Sequence, residues 1–420
     1  MKTRTKEKTG FEKVLDAQSS LKGIAVHTPL QYSAGLSEKY NAQVYLKRED
    51  LQLVRSYKLR GAYYKIASLG DAEKRRGIVC ASAGNHAQGV AFSCRKLKIP
   101  ARVFMPVTTP QQKVKQVKYF GKEFAELVLT GDTFDDAYAE AARFAAKENR
   151  SFIHPFDDEE IIAGQGTVAL EILEDAETVP DFVFVPVGGG GLAAGMSLVF
   201  KNVCPQVKLI GVQPAGAPSM KRSLEAGRVV ELPFIEKFVD GASVRKPGEK
   251  TFSICRKSFS DFLLPHEGAV CSAMLRMYNE EAIVLEPAGA LTIAALDLYR
   301  GPIRGKKVVC ILSGGNNDIG RMEEIKERAL LHEELKHYFL VHFPQRAGAL
   351  REFVNEVLGP GDNITYFQYA KKTNRENGPA VIGIELCEPG DFALLTERMK
   401  NRNVLFEHLN AREDLLALLV

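Results

Sequence analysis

Between about residue 40 and residue 320 short apolar runs alternate with stretches of helical period, and no other feature restricts the fold as much. Strands are predicted at 43–47, 78–82, 101–105, 125–129, 151–154, 182–187, 208–212 and 307–312. Helices are predicted between them, including 85–97, 134–147, 161–173, 192–200, 269–279 and 287–298. Strands this short and apolar, separated by helices, build a mostly parallel sheet covered on both faces. Ligands of such α/β sheets sit beyond the carboxyl ends of the strands.

Near Arg321 the pattern changes. Met322-Glu323-Glu324-Ile325-Lys326-Glu327-Arg328 is charged and helical, and a new order begins at His337. It reads strand 338–343, helix 349–358, strand 364–370, strand 380–386, helix 392–399 and strand 404–408. This β-α-β-β-α-β order is that of a ferredoxin-like unit. Asn377-Gly378-Pro379 predicts the turn between its middle strands. The expected division is a first domain over 1–325, a linker over 326–336 and a second domain over 337–420.

Composition narrows the function. A chain of 420 residues with 45% hydrophobic and 26% charged residues is ordinary for a soluble globular protein of two or three domains. A net charge of +4 implies no nucleic-acid partner. Lys2, Arg4, Lys6 and Lys8 are followed by no apolar core, so no secretory signal is expected, and no run reaches the roughly 18 residues that span a bilayer. Seven scattered cysteines without a C-x-x-C pair argue for a reducing cytoplasm over a disulfide framework or a zinc site. Cys80 and Cys310, inside apolar runs, read as small core residues.

Four stretches at strand ends carry chemistry. Ser56-Tyr57-Lys58-Leu59-Arg60-Gly61-Ala62 places Lys58 at a helix start, where the dipole disfavours a charged lysine and suits a neutral amine. Ser82-Ala83-Gly84-Asn85-His86-Ala87-Gln88-Gly89 forms a small-residue turn with free N–H donors, suited to a carboxylate. Asn85 is also a candidate N-cap and His86 a candidate satisfied helix-start histidine. Gly188-Gly189-Gly190-Gly191-Leu192 follows a buried strand, where four glycines cost entropy that a phosphate cradle explains. It lacks the Gly-Lys-Ser/Thr of a P-loop, and the next strand ends in Gln213-Pro214, without the acidic ribose anchor of a dinucleotide site. Ser313-Gly314-Gly315-Asn316-Asn317 ends the last strand of the first domain, as a capping loop or as a hydroxyl facing a cofactor ring. His154 reads as a packed, hydrogen-bonded histidine, and Asp135 and Asp136 as helix-start charges.

Together with Glu286-Pro287-Ala288-Gly289-Ala290, and in this order, these stretches resemble the signature set of the pyridoxal 5'-phosphate (PLP) enzymes of the tryptophan-synthase-β fold type. Within that fold type the chain is most similar to the threonine dehydratase (threonine ammonia-lyase) family, over roughly residues 20 to 420. The tail resembles an ACT-like regulatory domain, its ligand loop matched by Pro344-Gln345-Arg346-Ala347-Gly348-Ala349-Leu350. The resemblance implies PLP fold type II, an α/β architecture of two open, mostly parallel sheets, plus the ferredoxin-like ACT-like domain. It implies that Lys58 binds PLP covalently and that Gly188, Gly189, Gly190, Gly191 and Leu192 hold the 5′-phosphate. Asn85 would meet the 3′-hydroxyl and Ser313 the pyridine nitrogen, while Ser82, Gly84 and His86 would line the substrate carboxylate site. L-threonine, and also L-serine, would be substrates, and isoleucine or valine the regulatory ligand of a cytoplasmic homotetramer. A serine-preferring or catabolic dehydratase, or a non-catalytic amino-acid sensor, are the alternatives. Serine racemases of this fold carry a serine where Ala83 stands, so elimination is expected to dominate. Some relatives bind a divalent cation where Gln213, Ala217 and Ser219 stand, so no metal site is expected.

Overall fold

The computed structural model describes residues 8–369 and 376–416. They form two compact units: 8–267 with 276–318, and 268–275 with 319–369 and 376–416.

The first unit holds two sheets. Six strands run in the order Leu30–Tyr32, Gln43–Arg48, Lys307–Leu312, Phe182–Pro186, Lys208–Val212 and Phe259–Leu263. All are parallel except the first, which runs against its neighbour. Four wholly parallel strands form the other sheet, in the order Ala125–Leu129, Ala101–Met105, Ile78–Ala81 and Ser151–Phe152. Each sheet has its own core. Val183, Val185, Leu209, Val309 and Ile311 pack with the helices Glu159–Asp175 and Gly191–Val203. Ile78, Cys80, Val103 and Met105 pack with Lys58–Ser68 and Asn85–Leu97. Phe182–Pro186 and Ile78–Ala81 are buried along their whole length, which is why they read as unbroken apolar runs. Helices cross closely where glycine permits it. A Cβ on Gly164 would lie 2.5 Å from the Cα of Gly61, so the helix Glu159–Asp175 can lie directly against Lys58–Ser68.

Most expected elements form within a residue or two of their predicted ends. The strand expected at 151–154 keeps only Ser151–Phe152, because His154 and Pro155 turn away into the cleft described below. Among the elements not named from the sequence are the helix Gln111–Gly121, whose exposed face is lysine-rich, and the short, half-exposed strand Phe259–Leu263. Six of the seven cysteines are buried and Cys387 is exposed. Thr133 and Asp136 form a capping box on Phe134–Lys147, and Asp135 pairs with Arg245 at 3.2 Å. No helix among the described residues is long and apolar enough to cross a membrane.

The second unit contains the helix Met322–His332 and a four-stranded antiparallel sheet in the order Asn363–Tyr369, Asn377–Glu385, Lys336–Pro344 and Leu405–His408. With the helices Ala349–Glu356 and Asp391–Asn401 this is the expected β-α-β-β-α-β arrangement, with Phe339, Val341, Phe353, Ile382, Leu395 and Met399 in its core. Asn377-Gly378-Pro379 is not a turn. These residues begin a strand, paired with Pro344, Phe343 and His342. Among the described residues, pairing with Asn363–Tyr369 extends as far as Ala380. Ala370, expected to end the preceding strand, lies outside the described residues.

Candidate active site

The strand Gln43–Arg48 passes through the turn Glu49–Leu51 into the helix Lys58–Ser68, so Lys58 occupies the first helical position. The residues before it are tied to the end of strand Lys307–Leu312. Ser56 bridges Gly314, the Tyr57 amide donates to the Ser313 carbonyl at 3.3 Å, and the Gly315 amide donates to that of Arg55 at 3.0 Å. Lys58 Nζ donates to the Pro155 carbonyl at 3.0 Å. Burial lowers its pKa to about 8, against a smaller upward pull from Glu286.

The Lys58 helix is held from behind by buried charges. Arg60 bonds both oxygens of Glu49, at 2.7 and 2.9 Å, and both oxygens of Glu171, at 2.6 and 2.9 Å. Lys47 adds a second cation 2.8 Å from Glu171, and Thr28 donates to Glu49. Two cations face two carboxylates with hydrogen bonds filled on every side, which is the condition under which buried ions are tolerated.

The tetraglycine loop is a cradle of uncommitted amides. Val187 donates to Val212 and Ala194 to Gly190, but among the described residues the N–H groups of Gly188, Gly189, Gly190, Gly191, Leu192 and Ala193 donate to nothing. Consecutive buried donors without partners are rare and call for an anion. Side chains would close the cradle: a Cβ on Gly189 would lie 2.4 Å from the Phe156 ring, and Gly190 has φ +96° with Met220 and Thr251 against it. The phosphate of PLP fits such a site.

A second set of free donors lies at the start of Asn85–Leu97. The amides of Ala83, Asn85, His86 and Ala87 have no acceptor among the described residues, and the Ser82 hydroxyl accepts from Gly84 at 3.2 Å. The helix N-cap is Gly84 rather than Asn85, and no side chain caps it. Asn85 instead reaches across the cleft. Its Nδ2 donates to Glu286 Oε1 at 2.7 Å, and its Oδ1 accepts from Asn316 at 2.7 Å. His86 is buried with Nε2 on the Ile153 carbonyl at 3.0 Å, and desolvation pushes its pKa down to about 3. The ring is therefore neutral with a bare Nδ1, and His86 can offer a substrate carboxylate only its backbone N–H. Ser313 is buried with its hydroxyl donating to the Ala288 carbonyl at 3.2 Å. His154 accepts from the amides of Phe156 and Asp157, a packed role as expected.

The structure thus brings Lys58 and Ser313 together by backbone pairing, and joins Asn85 across the cleft to the Glu286 and Asn316 segments. Phe156, beside Gly189 and Gly191, and Pro155 were not expected in the site. Glu286 and Asn316 stood inside the quoted motifs without a role in the cleft, because a hydrogen-bond partner two hundred residues away leaves no local signal.

Comparison with known proteins agrees with this geometry. The pattern of the family described as pyridoxal-phosphate dependent enzyme matches residues 22–314, and that of the C-terminal regulatory domain of threonine dehydratase matches residues 327–419. The chain is 57% identical over 407 residues to the L-threonine dehydratase biosynthetic IlvA of Bacillus subtilis, covering 97% of this chain and 96% of that one. It is 54% identical over 413 residues to the protein of the same name from Halalkalibacterium halodurans, covering 98% and 100%. The solved structure of the processed form of threonine deaminase isoform 2 from Solanum lycopersicum superposes with a TM-score of 0.72 at 38% identity, covering 76% of this chain and 93% of that one. By its paired parallel sheets, its lysine beside two amide cradles and its close relatives, the chain belongs to the pyridoxal-phosphate-dependent enzymes of the threonine dehydratase family.

Proposed function

We propose that this chain deaminates L-threonine to 2-oxobutanoate and ammonia, the first step of isoleucine synthesis, under feedback by an amino acid bound to the C-terminal unit. One observation carries the reading: a lysine amine with a lowered pKa shares a cleft with two sets of uncommitted backbone donors, one for a phosphate and one for a carboxylate. When bound, PLP draws electron density away from the substrate Cα and makes its proton removable.

The roles then follow from position. The amides of Gly188 to Gly191 and Leu192 hold the 5′-phosphate. Asn85 would donate to the ring's 3′-hydroxyl, and the Ser313 hydroxyl would meet the ring nitrogen. Lys58 would hold the cofactor through Nζ, and the same amine, once neutral and free, would take the Cα proton. An ordinary lysine, pKa about 10.4, is almost wholly protonated at neutral pH, whereas one near 8 supplies a usable fraction of neutral amine. The protonated Nζ of Lys58 would then return that proton to the departing β-hydroxyl. Ser82, Gly84 and the His86 amide receive the carboxylate. Ala83 has no proton to deliver to the opposite face of Cα, which favours elimination over racemisation.

Regulation belongs to the second unit, where Phe343, Arg346, Gly348, Leu350, Phe367 and Tyr369 help line a cavity of about 470 Å³ at the expected ligand loop. Isoleucine or valine, an apolar side chain with a charged backbone, suits a wall of aromatic rings and arginines. L-serine is a second substrate, the oligomer a homotetramer and the compartment the cytoplasm. The catalytic domain runs over 1–325 and the ACT-like domain over 337–420, joined by 326–336. The test is 2-oxo acid release from threonine by the full chain, with and without isoleucine and with Lys58→Ala as control. A wild-type protein that takes up no PLP and releases no 2-oxo acid overturns the reading.

A further inference from the structure

Glu286 is buried at the first turn of the helix Pro287–Leu296, and no role for it follows from the glycine cradles or from Lys58. Its carboxylate lies in a slot left by glycines: a Cβ on Gly314 would stand 2.5 Å from Oε1, and one on Gly241 3.4 Å. Backbone bonds fix the slot, since the Glu286 amide donates to the Gly314 carbonyl at 3.2 Å.

From that slot Glu286 accepts from Asn85 Nδ2 at 2.7 Å. On the other side of the amide, Asn316 Nδ2 donates to Asn85 Oδ1 at 2.7 Å and to the Val54 carbonyl at 2.9 Å. The Val54 carbonyl determines which end of Asn316 is the donor, and hence that Asn85 must present oxygen to it. Glu286, when ionised, can only accept, so Asn85 must present nitrogen there. Turning the Asn85 amide over would set oxygen against carboxylate and NH₂ against NH₂. The chain Val54–Asn316–Asn85–Glu286 therefore has one orientation, with one Asn85 N–H left uncommitted among the described residues.

We infer that Glu286 is a positioning residue for the cofactor: with Asn316 it locks the Asn85 amide so that its remaining N–H is presented to the PLP ring oxygen. This deepens the function proposed above and rests on its reading of Asn85. The carboxylate accepts one proton of the amide and leaves the other for the cofactor. The charged neighbours of this slot are Lys58, Lys113 and Asp240; the lysines favour the ionised carboxyl, while Asp240 and burial oppose it.

The experiment uses the full chain, resolved of cofactor and titrated with PLP, with affinity and the pH dependence of the bound cofactor's visible absorption as readouts. Thermal melting of each variant checks folding. Glu286→Ala and Asn316→Ala should each weaken PLP binding by roughly ten- to a hundredfold, the loss of one hydrogen bond with a charged partner. Glu286→Gln, which still offers an acceptor oxygen, should restore binding to within about threefold of wild type and keep its absorption profile. In an Asn85→Ala background, Glu286→Ala should add little, because the group it positions is gone. Three results overturn the inference: Glu286→Ala binding PLP as tightly as wild type, Glu286→Gln as weak as Glu286→Ala, or a full additive loss in the Asn85→Ala background. Failure of the wild-type chain to take up PLP would instead undo the proposed function, and is distinguishable from all three.

Discussion

Arg60→Met removes the guanidinium from the buried charge cluster behind Lys58 while keeping most of the side-chain volume. In the native protein Arg60 is 1% exposed and makes four hydrogen bonds with Glu49 and Glu171. The substitution leaves Glu171 with Lys47 at 2.8 Å, but leaves Glu49 with the Thr28 hydroxyl as its remaining side-chain partner. Stranding one carboxylate of a buried pair costs about 3–5 kcal/mol. In a unit of this size that corresponds to a melting temperature lower by roughly 6–10 °C. The pH dependence supplies a second test. Burial raises the pKa of Glu171, but Arg60 and Lys47 together outweigh it and hold the pKa below the ordinary value. A depressed carboxylate contributes stability above its unfolded pKa, near 4.3, and loses that contribution as the pH falls through the folded value. The variant forfeits part of this, so its deficit should be largest near pH 7 and should narrow toward pH 4. Differential scanning calorimetry at several pH values measures both quantities. A variant melting within 1 °C of wild type at pH 7, or a deficit that widens on acidification, would refute the argument that these ions clamp the helix.

Gly189→Ala should weaken PLP binding at least about tenfold, seen as lost cofactor absorption after dialysis, because its Cβ would stand 2.4 Å from the Phe156 ring. The rate at which the cofactor-free protein captures PLP should rise with pH through about 8, where Lys58 becomes neutral; a midpoint above 10 in stopped-flow absorbance would mean that burial leaves this amine unshifted. Burial raises the Glu286 pKa from 4.5 to about 7, so this group's contribution to stability is full below 4.5 and is lost as pH rises through 7. Without cofactor, Glu286→Gln should therefore be more stable than wild type by about 2–4 kcal/mol at pH 8, and no more stable at pH 4, measured by denaturant unfolding.

How much could be read from the residues depends on whether the cause was local. Ile78–Ala81, Phe182–Pro186 and Lys307–Leu312 were legible because a strand buried on both faces must be apolar at every position. The glycines of 188–191 were legible because nothing but backbone can line a cradle that Phe156 and Thr251 close from outside. Local chemistry misled at Asn377-Gly378-Pro379, where a good turn tripeptide was drawn into the sheet by pairing with Phe343 and His342. It misled again at Asn85, a sound capping residue whose Oδ1 accepts from Asn316 instead of from a helix amide.

By itself, then, the sequence determined the order of strands and helices and the places where backbone amides would be left free, because period and glycine content act within a few residues. Tertiary structure decided which distant groups share those places: the Arg60 cluster, the carbonyl of Pro155 on Lys58, and Glu286 and Asn316 on the two ends of one amide. The reason is physical. A polar group removed from water must find a partner, and that partner is chosen by the packing of the whole fold rather than by neighbours in the chain.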